Sequence, residues 1–546
     1  MRARNNANEL EIYAVAGTHT VVLSLDMKNK PTGLLGFAFE RKDDKTGQRT
    51  WLYGQKCFQS VITDPVPGQQ YPTYLHPIQS FLWKDFTVEP GRSYTFKATP
   101  VFGQPMKPEY GDSEELQIKT EPNIRGKHGV FFNRGVSGSQ SYVEKFGKEK
   151  ICKMKEPTKT LAYEWLSRGL YEGLKDYIQK AKPGQQLRGA FYEFHYEPVL
   201  QELKAAQEKG VDVQIVYSGE NYKEENEAAI KQVGIENIAN HFRDNQVEEP
   251  HNKFLILCDS NGVAIKIWTG STNISEKGIF GQCNTGHILI DKTIAGKYLQ
   301  YWTELYKNPD RETLSTVVEN LQPDLTDAEI QQDITVFFSP RKSVNMLQQY
   351  ANLVDGATDM VCCIYPFNID QRFQAVFKED KPFIRYIILD TRKDYNTFQT
   401  NDRDVEVTTG AYISSPVDQW VGETSSGNII YRGIDYVHNK IILIDPLTAK
   451  PIVISGSANY SVNSLTKNDE NTLIIKNNTR VADIYFTEFV RLFDHFSFRE
   501  WLKNNKADFK PFLDEKGKWI NKYFDSDEYL SVKRKKVFKN MTIPHG

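Results

Sequence analysis

The sequence predicts an α/β protein in which two homologous lobes, each a mixed sheet flanked by helices, follow an all-β sandwich domain. Three observations support this prediction. The first 122 residues contain short apolar segments separated by turn residues, later residues alternate helical and strand patterns, and one motif-bearing segment occurs twice. We therefore expect four parts, at residues 1–122, 123–325, 326–500 and 501–546.

The N-terminal part has the pattern of an antiparallel sandwich. Stretches such as ELEIYAVAG, TVVLSLD and SYTFKATPVFG are rich in apolar residues, and Gly, Pro, Asp and Asn separate them. The stretch VEPGRSYTFKATPV resembles the Pro-Gly-x-x-Tyr element of fibronectin type III domains. This resemblance implies a fibronectin III-like or immunoglobulin-like domain, whose expected use is to bind a protein partner.

Two regions of similar pattern follow. In the first, the helical pattern TLAYEWLSRGLYEGLKDYIQKA precedes the strand LRGAFYEF, the helix EPVLQELKAAQEKG and the strand VDVQIVY. In the second, DITVFFSP precedes the helix SVNMLQQYANLV and the strands DMVCCIYPF and FIRYIILD. GVFFNRG and TVFFSPR form a matching pair near the two starts. Such alternation favours two largely parallel, mixed sheets with helices on both faces, followed by a basic, helical tail.

A segment with the same polar residues occurs once in each lobe. Residues 251–273 are HNKFLILCDSNGVAIKIWTGSTN, and residues 438–459 are HNKIILIDPLTAKPIVISGSAN. In both, His-x-Lys leads into an apolar strand, and Gly-Ser-x-Asn ends the segment. Side chains two residues apart share one face of a strand, so each His and Lys should line a cleft. Two merely structural hairpins are the alternative, but repetition of both elements at nearly equal spacing favours a shared site.

Composition limits the functional classes. The chain has 546 residues, of which 39% are hydrophobic and 25% charged, as is typical of globular proteins with several domains. A formal net charge of −2 gives no overall attraction to nucleic acid or anionic lipid. No apolar run is long enough to span a membrane, no signal peptide is recognisable, and the six cysteines lack metal-ligand spacing. We expect a reduced, cytoplasmic protein without cofactor or metal.

The paired motifs resemble the phospholipase D superfamily, whose signature is His-x-Lys, four residues, Asp, and then Gly-Ser-x-Asn or a form one residue longer. The resemblance covers residues 123–500. It implies two phospholipase D-like lobes around a pseudo-twofold axis, with one chain supplying both halves of one active site. The catalytic residues that it implies are His251, Lys253, Asn273, His438, Lys440, Asn459 and Glu470. The residues implied to bind the substrate phosphate are Ser271 and Ser457.

These residue types suit attack on a phosphodiester. A neutral imidazole avoids the repulsion that an anionic nucleophile meets at phosphorus, so one histidine can form a phosphohistidine while the other protonates the leaving oxygen. Lysines, asparagines and hydroxyls can stabilise the equatorial oxygens without a metal ion. The expected activity is therefore metal-independent hydrolysis of a phosphodiester.

The first copy departs from the family spacing. Asp445 lies at the family position in the second copy, whereas Cys258 occupies that position in the first and Asp259 follows one residue later. A β-bulge or a longer turn would absorb the extra residue. The family aspartate is mainly structural, so this departure should leave catalysis intact.

A second departure makes the two histidines unequal. In the family a glutamate after the second motif hydrogen-bonds a catalytic histidine, and Glu470 is expected to contact His438, whereas Cys283 stands at the matching place after the first motif. A carboxylate partner raises the pKa of a histidine. We therefore expect His251 to be the nucleophile and His438 the general acid.

The sequence leaves the substrate open between nucleic acid and phospholipid. The missing secretion and membrane features favour a nuclease, for which the stretch 385–404 and the tail SVKRKKVFKN offer basic and aromatic residues. A phospholipase needs an apolar surface, which residues 410–437 could supply. A non-enzymatic binder that uses the β-sandwich is the third possibility, but intact His and Lys in both motifs argue against it.

Overall fold

The structure is a computed structural model, and it describes the chain in nine stretches. These are residues 1–66, 69–135, 140–147, 149–330, 332–367, 369–390, 402–410, 437–504 and 511–544. The stretches 385–404 and 410–437, which the sequence offered for nucleic acid and for lipid, lie largely outside them. The described residues form the predicted architecture of an all-β N-terminal region and two mixed α/β lobes.

The N-terminal region consists of two antiparallel sheets around a shared apolar core. One sheet has the strand order Arg2–Asn5, Leu10–Ala16, Val21–Met27 and Leu82–Asp85. The other has the order Lys107–Tyr110, Ser93–Gln104, Gly36–Asp43 and Arg49–Trp51, with Glu114–Lys119 also paired to Ser93–Gln104, and a separate pair is Tyr53–Gly54 with Tyr71–Pro72. Side chains of both large sheets, such as Ile12 and Phe96, share the core. The all-β prediction is confirmed, and the relationship to fibronectin type III stays a prediction.

The first lobe is built on an eight-stranded mixed sheet. Its strand order is Ile124–Arg125, His128–Phe132, Thr285–Leu289, Ala264–Gly270, Lys253–Cys258, Gln186–Phe191, Asp212–Ser218 and His241–Arg243. Its α-helices are Gln140–Phe146, Thr158–Ser167, Leu170–Gln179, Glu197–Glu208, Lys223–Val233, Lys292–Tyr306, Arg311–Leu321 and Asp327–Ile330. A 3₁₀ turn spans Ile151–Lys153, and a π-helical turn spans Lys277–Gly281.

The second lobe repeats this arrangement. Its strand order is Ile334–Ser339, Glu470–Lys476, Ile452–Gly456, Ile441–Ile444, Met360–Tyr365, Ile384–Leu389 and Val405–Thr409. Its described helices are Asn345–Asp355, Gln371–Lys378, Val462–Thr466 and Thr479–Asn504. In both lobes four antiparallel pairings are followed by two parallel ones. The predicted pair GVFFNRG and TVFFSPR occupies equivalent strands, which confirms two lobes of one fold.

Buried ion pairs connect the two lobes. Arg243 Nε lies 2.8 Å from Asp469 Oδ2, and Arg168 Nη2 lies 2.5 Å from Glu488 Oε2. All four side chains are buried. Separating either pair would leave an unpaired buried charge, so these contacts disfavour other orientations of the lobes.

The C-terminal segment connects the β-region to the second lobe. It contains the 3₁₀ helix Lys518–Tyr523 and the helix Leu530–Lys539, and Ile520 belongs to the core of the β-region. The basic residues of the tail SVKRKKVFKN form ion pairs, namely Lys533–Asp404, Arg534–Glu406, Lys535–Asp26, Lys536–Asp527 and Lys539–Glu11. Their charges are thus largely engaged within the fold, which removes this tail as support for nucleic-acid binding.

Candidate active site

The two motif histidines meet where the lobes join. His251 and His438 lie just before the central strands Lys253–Cys258 and Ile441–Ile444 of the two sheets. Their ring centroids are 6.4 Å apart, their planes are inclined by 71°, and both side chains are buried. One phosphoryl group can therefore reach both rings, in the single interfacial site that the repeat predicts.

Glu470 contacts the histidine of the opposite lobe. Its Oε2 lies 2.9 Å from His251 Nδ1, so the expected contact with His438 is wrong. The strand Glu470–Lys476 is separated from Ile441–Ile444 by Ile452–Gly456, which puts the ends of those two strands about 10 Å apart. The pseudo-twofold instead brings His251 across the interface to Glu470.

His438 has a neutral partner from the first lobe. Asn284 Oδ1 lies 2.8 Å from His438 Nδ1. The Ser457 amide donates to the carbonyl of Asn471, and the Ser271 amide donates to the carbonyl of Thr285. These equivalent bonds pair Asn471 with Thr285, and hence Glu470 with Asn284. The expected equivalence of Glu470 with Cys283 is therefore wrong by one residue.

Hydrogen bonding defines the tautomers of both rings. A carboxylate oxygen only accepts, so His251 Nδ1 carries the proton that Glu470 receives. Asn284 donates its Nδ2 to the carbonyl of Gly278, which leaves its Oδ1 to accept from His438 Nδ1. In the neutral rings each Nε2 then holds the free lone pair.

Burial favours neutral imidazoles at this site. Burial, followed by the charges of Lys253 and Lys440, lowers the pKa of His251 well below its usual value, and the same causes lower the pKa of His438. Burial also raises the pKa of Glu470 to about 7. The carboxyl group and His251 therefore share one proton in a coupled pair, whereas His438 has no carboxylate contact of this kind.

The two motif lysines have equivalent contacts. Lys253 Nζ donates to the carbonyl of His251 at 2.7 Å, and Lys440 Nζ donates to the carbonyl of His438 at 2.8 Å. Burial lowers the pKa of Lys253 to about 8 and lowers that of Lys440 well below its usual value. A bound phosphodiester anion would favour the protonated form of both. Over the described ranges, no group of three His, Cys, Asp or Glu side chains is placed to hold a metal ion.

The two serines are fully buried beside the histidine partners. Ser271 Oγ donates to Asn284 Oδ1 at 2.8 Å and accepts from the amide of Thr285. Ser457 Oγ accepts from the amide of Asn471. These bonds position the strands that carry Asn284 and Glu470, and direct phosphate contact by either hydroxyl stays a prediction.

Close packing explains the glycine before each serine. A Cβ on Gly270 would collide with the carbonyl oxygen of Thr285, and one on Gly456 would collide with the carbonyl oxygen of Asn471. Gly270 also has φ of +144°, which side-chain-bearing residues rarely adopt. Only glycine lets the adjacent strand, with its histidine partner, approach so closely.

The middle residue of each His-Asn-Lys also crosses the interface. Asn471 Nδ2 donates to Asn252 Oδ1 at 2.9 Å, and Thr285 Oγ1 donates to Asn439 Oδ1 at 2.8 Å. The motif pattern treats this position as variable, so the sequence analysis passed over it. The available signal was that both copies contain asparagine there.

Structural differences between the hairpins match the sequence departures. A β-bulge between Leu257 and Cys258 absorbs the additional residue of the first copy, as expected. Asp445 accepts hydrogen bonds from the amides of Thr358, Asp359 and Met360, which gives it a structural role. Burial raises the pKa of the Cys283 thiol to about 12, consistent with an inert, buried cysteine.

An aromatic wall, defined here as Tyr192, His195 and Tyr222, flanks His251. The ring of Tyr192 lies 4.9 Å from that of His251 and 5.4 Å from that of Tyr222, and His195 stacks on Tyr222 at 6.0 Å. His195 and Tyr222 are partly exposed. The sequence analysis missed this wall, although FYEFHY at the end of a predicted strand is unusually aromatic.

The two motif asparagines have different surroundings. Asn273 Nδ2 donates to Glu193 Oε1 at 2.9 Å, and Lys277 Nζ lies 3.2 Å from the same oxygen. Asn459 is partly exposed at the equivalent position of the second lobe. Glu193 and Lys277 lie outside the repeated motifs, so no sequence pattern identified them.

Comparison with known proteins is consistent with the motif assignment. Residues 174–306 and 382–493 match the family described as cardiolipin synthase, PLD-like domain. No curated protein matches the chain. Similar solved structures include phosphatidylserine synthase of Haemophilus influenzae Rd KW20, with 12% identity, 69% of this chain and 94% of that chain covered, and a TM-score of 0.41.

Two further structures are similar over smaller parts of the chain. Yeast tyrosyl-DNA phosphodiesterase has 13% identity, with 57% of this chain and 89% of that chain covered and a TM-score of 0.33. The phospholipase D family member Nuc of Salmonella typhimurium has 19% identity, with 31% and 93% covered and a TM-score of 0.21. Because the family match falls on both lobes and the two His-x-Lys motifs meet at one interface, this chain belongs to the phospholipase D superfamily.

Proposed function

We propose that the protein is a metal-independent phosphodiesterase that hydrolyses nucleic acid through a phosphohistidine intermediate. The observation that carries this proposal is the pair of buried histidines, 6.4 Å apart, with one lysine beside each. Two neutral imidazoles supply a nucleophile and a proton donor, and two ammonium groups attract the anionic substrate. The active site therefore contains the groups that the reaction needs.

The partners of the histidines support His251 as the nucleophile. When Nε2 bonds phosphorus, the imidazole gains positive charge, and the Glu470 carboxylate at Nδ1 stabilises that charge. His438 faces a neutral amide, so its protonated form loses its proton more readily to a leaving group. The expected roles are thus retained, although the reason is opposite to the one that the sequence suggested.

The proposed reaction has two steps that balance. In the first, the His251 Nε2 lone pair forms the P–N bond, the P–O bond to the alcohol breaks, and a proton from His438 passes to the leaving oxygen. In the second, His438 takes a proton from water as its oxygen bonds phosphorus, and the P–N bond breaks to return the lone pair to His251. Lys253 and Lys440 stabilise the charged oxygens in both transition states.

The aromatic wall supports nucleic acid as the substrate class. Bases stack on aromatic side chains with little sequence preference, and Tyr222 and His195 are partly exposed next to the nucleophile. Lys277, whose Nζ lies 4.8 Å from the centre of the Tyr222 ring, adds a cation to this side of the cleft. None of the described helices is long and apolar enough to cross a membrane. Phospholipid stays the alternative that the experiments below distinguish.

Activity is expected to persist in a chelator. Two lysines supply the positive charge near the reacting phosphate, so EDTA should leave at least about half of the turnover of single-stranded oligonucleotides. The measurement is hydrolysis of RNA, DNA and phosphatidylcholine vesicles before and after dialysis against EDTA. Loss of all activity that a divalent cation then restores would contradict the mechanism, and cleavage of vesicles alone would contradict the substrate.

The rate is also expected to fall as the pH rises above about 8. Burial lowers the pKa of Lys253 to about 8, so the ammonium group is present below that pH and lost above it. The expected result is a decrease in kcat/KM, which reports the free enzyme, for bis(p-nitrophenyl) phosphate. This substrate does not titrate in the range, so a flat profile from pH 7 to about 10 would contradict a role for the protonated lysine.

A further inference from the structure

A buried carboxylate outside the repeated motifs lies next to the proposed phosphate site. Glu193 is 3% exposed and follows Tyr192, whose ring contacts that of His251. The Glu193 carboxylate is also among the charges that oppose the effect of burial on the pKa of both Lys253 and Lys440. It therefore belongs to the environment of the reacting phosphate, although the proposed mechanism does not use it.

Only one oxygen of Glu193 is occupied. Oε1 accepts from Asn273 Nδ2 and contacts Lys277 Nζ, whereas Oε2 is buried without a hydrogen-bond partner among the residues that the structure describes. Burying an unpaired carboxylate oxygen is costly, so such atoms usually have a partner in the functional state. Oε2 is consequently available to a group on the substrate.

Asn273 provides a second acceptor of the same kind. Because the Glu193 carboxylate only accepts, the Asn273 amide nitrogen must face it, and the amide oxygen must point elsewhere. Asn273 is 1% exposed, and within the described chain its Oδ1 also lacks a donor. Two adjacent residues thus offer buried acceptors and need an O–H or N–H donor.

The charges nearby favour a neutral hydroxyl as that donor. Lys277 already neutralises Glu193, and Lys253 and Lys440 add positive charge to the site, so an ammonium group on the substrate would be repelled. A hydroxyl carries no charge and can donate to Oε2 or to the amide oxygen. In a nucleic acid, the hydroxyl that lies beside the phosphodiester is the ribose 2′-hydroxyl, which separates RNA from DNA.

We propose that Glu193 and Asn273 accept a hydrogen bond from the 2′-hydroxyl of the ribonucleotide beside the scissile phosphate, so that the enzyme prefers single-stranded RNA to DNA. This inference rests on the proposed nuclease function. A charged acceptor that is unpaired without its donor gives discrimination of about 10- to 100-fold in kcat/KM.

The second lobe lacks this feature. Phe367 follows the strand Met360–Tyr365 at the same distance as Glu193 follows the strand Gln186–Phe191, and it is 52% exposed. The strand register supports the equivalence, because Phe191 pairs with Lys253 and Ile364 pairs with Ile441, next to Lys440. The carboxylate is therefore found on one side of the pseudo-twofold only, which restricts hydroxyl recognition to one of the two nucleotides.

The test compares oligonucleotides that differ at one sugar. Single-stranded substrates with one scissile linkage should contain ribose, 2′-deoxyribose or 2′-fluororibose there, the last retaining a ribose-like pucker without a donor. The wild-type enzyme is expected to cleave the ribose substrate about 10- to 100-fold faster in kcat/KM than both others. Equal values for the three would overturn the inference, whether or not any variant folds.

Glu193→Gln tests the atom itself. Asn273 Nδ2 and Lys277 both require an acceptor, so the glutamine oxygen must replace Oε1 and its NH₂ must replace Oε2. The variant keeps the shape but offers a donor where the wild type offers an acceptor. The preference for ribose is expected to fall to within about threefold of unity, while Glu208→Gln, an exposed change in the same lobe, should retain it.

Controls separate this inference from the proposed function. All variants should be assayed on bis(p-nitrophenyl) phosphate, which has no hydroxyl, and Glu193→Gln should lose its ribose preference while it still cleaves that compound. A wild-type enzyme that cleaves this compound with no sugar preference defeats only the hydroxyl inference. Failure to cleave it would defeat the phosphodiesterase proposal, and cleavage of phosphatidylglycerol but of no oligonucleotide would defeat the assignment to nucleic acid.

Discussion

His251→Ala is expected to abolish turnover and to form no phosphoryl adduct, whereas His438→Ala should abolish turnover and accumulate the adduct on His251. Both changes should lower steady-state hydrolysis of bis(p-nitrophenyl) phosphate by about 10³-fold or more. The p-nitrophenolate leaving group needs no proton, so removing the acid spares the first step, but nothing replaces the nucleophile. The second step then fails in His438→Ala because no base activates water.

The measurement is a burst of p-nitrophenolate followed by mapping of the adduct. His438→Ala should release about one equivalent per enzyme, and mass spectrometry after an alkaline quench, which preserves P–N bonds, should place the modification on His251. The wild type supplies the control for substrate quality, and His251→Ala supplies the control for non-specific labelling. An adduct on His438 in the first step would reverse the assignment and leave the family membership intact.

Glu470→Gln is expected to lower kcat by about 10²- to 10⁴-fold through its effect on His251. Ser464 Oγ and Asn468 Nδ2 both donate to Glu470 Oε1, so the oxygen of a glutamine is retained on that side and its NH₂ faces His251 Nδ1. That arrangement forces the imidazole proton to Nε2 and removes the lone pair that attacks phosphorus. The burst rate should fall together with kcat.

Asn284→Asp is the matched variant in the other lobe. It gives His438 a carboxylate partner, which should raise the pKa of that histidine and weaken it as an acid. We expect adduct formation from bis(p-nitrophenyl) phosphate to change less than about threefold, because this leaving group needs no acid. A larger loss of burst rate in Asn284→Asp than in Glu470→Gln would indicate that His438 attacks instead.

The sequence by itself determined the components of the site. His-x-Lys before a strand of consecutive buried residues predicts polar groups at the edge of a core, because strand periodicity is a local property. Two such segments with matching GVFFNRG and TVFFSPR stretches predict two lobes of one topology, and the sheets have the same order. The bulge near Cys258 also followed from counting residues in the two hairpins.

Only the tertiary structure decided which groups face each other across the lobes. Glu470 and His438 are close in the sequence but lie two strands apart in one sheet, and the pseudo-twofold brings Glu470 to His251 and Asn284 to His438. The pairing of Asn471 with Asn252 and the contact of Tyr192 with His251 depend in the same way on how distant segments pack. Periodicity and spacing describe neighbours along a strand, whereas contacts between lobes depend on packing between residues about 200 positions apart, which no local pattern contains.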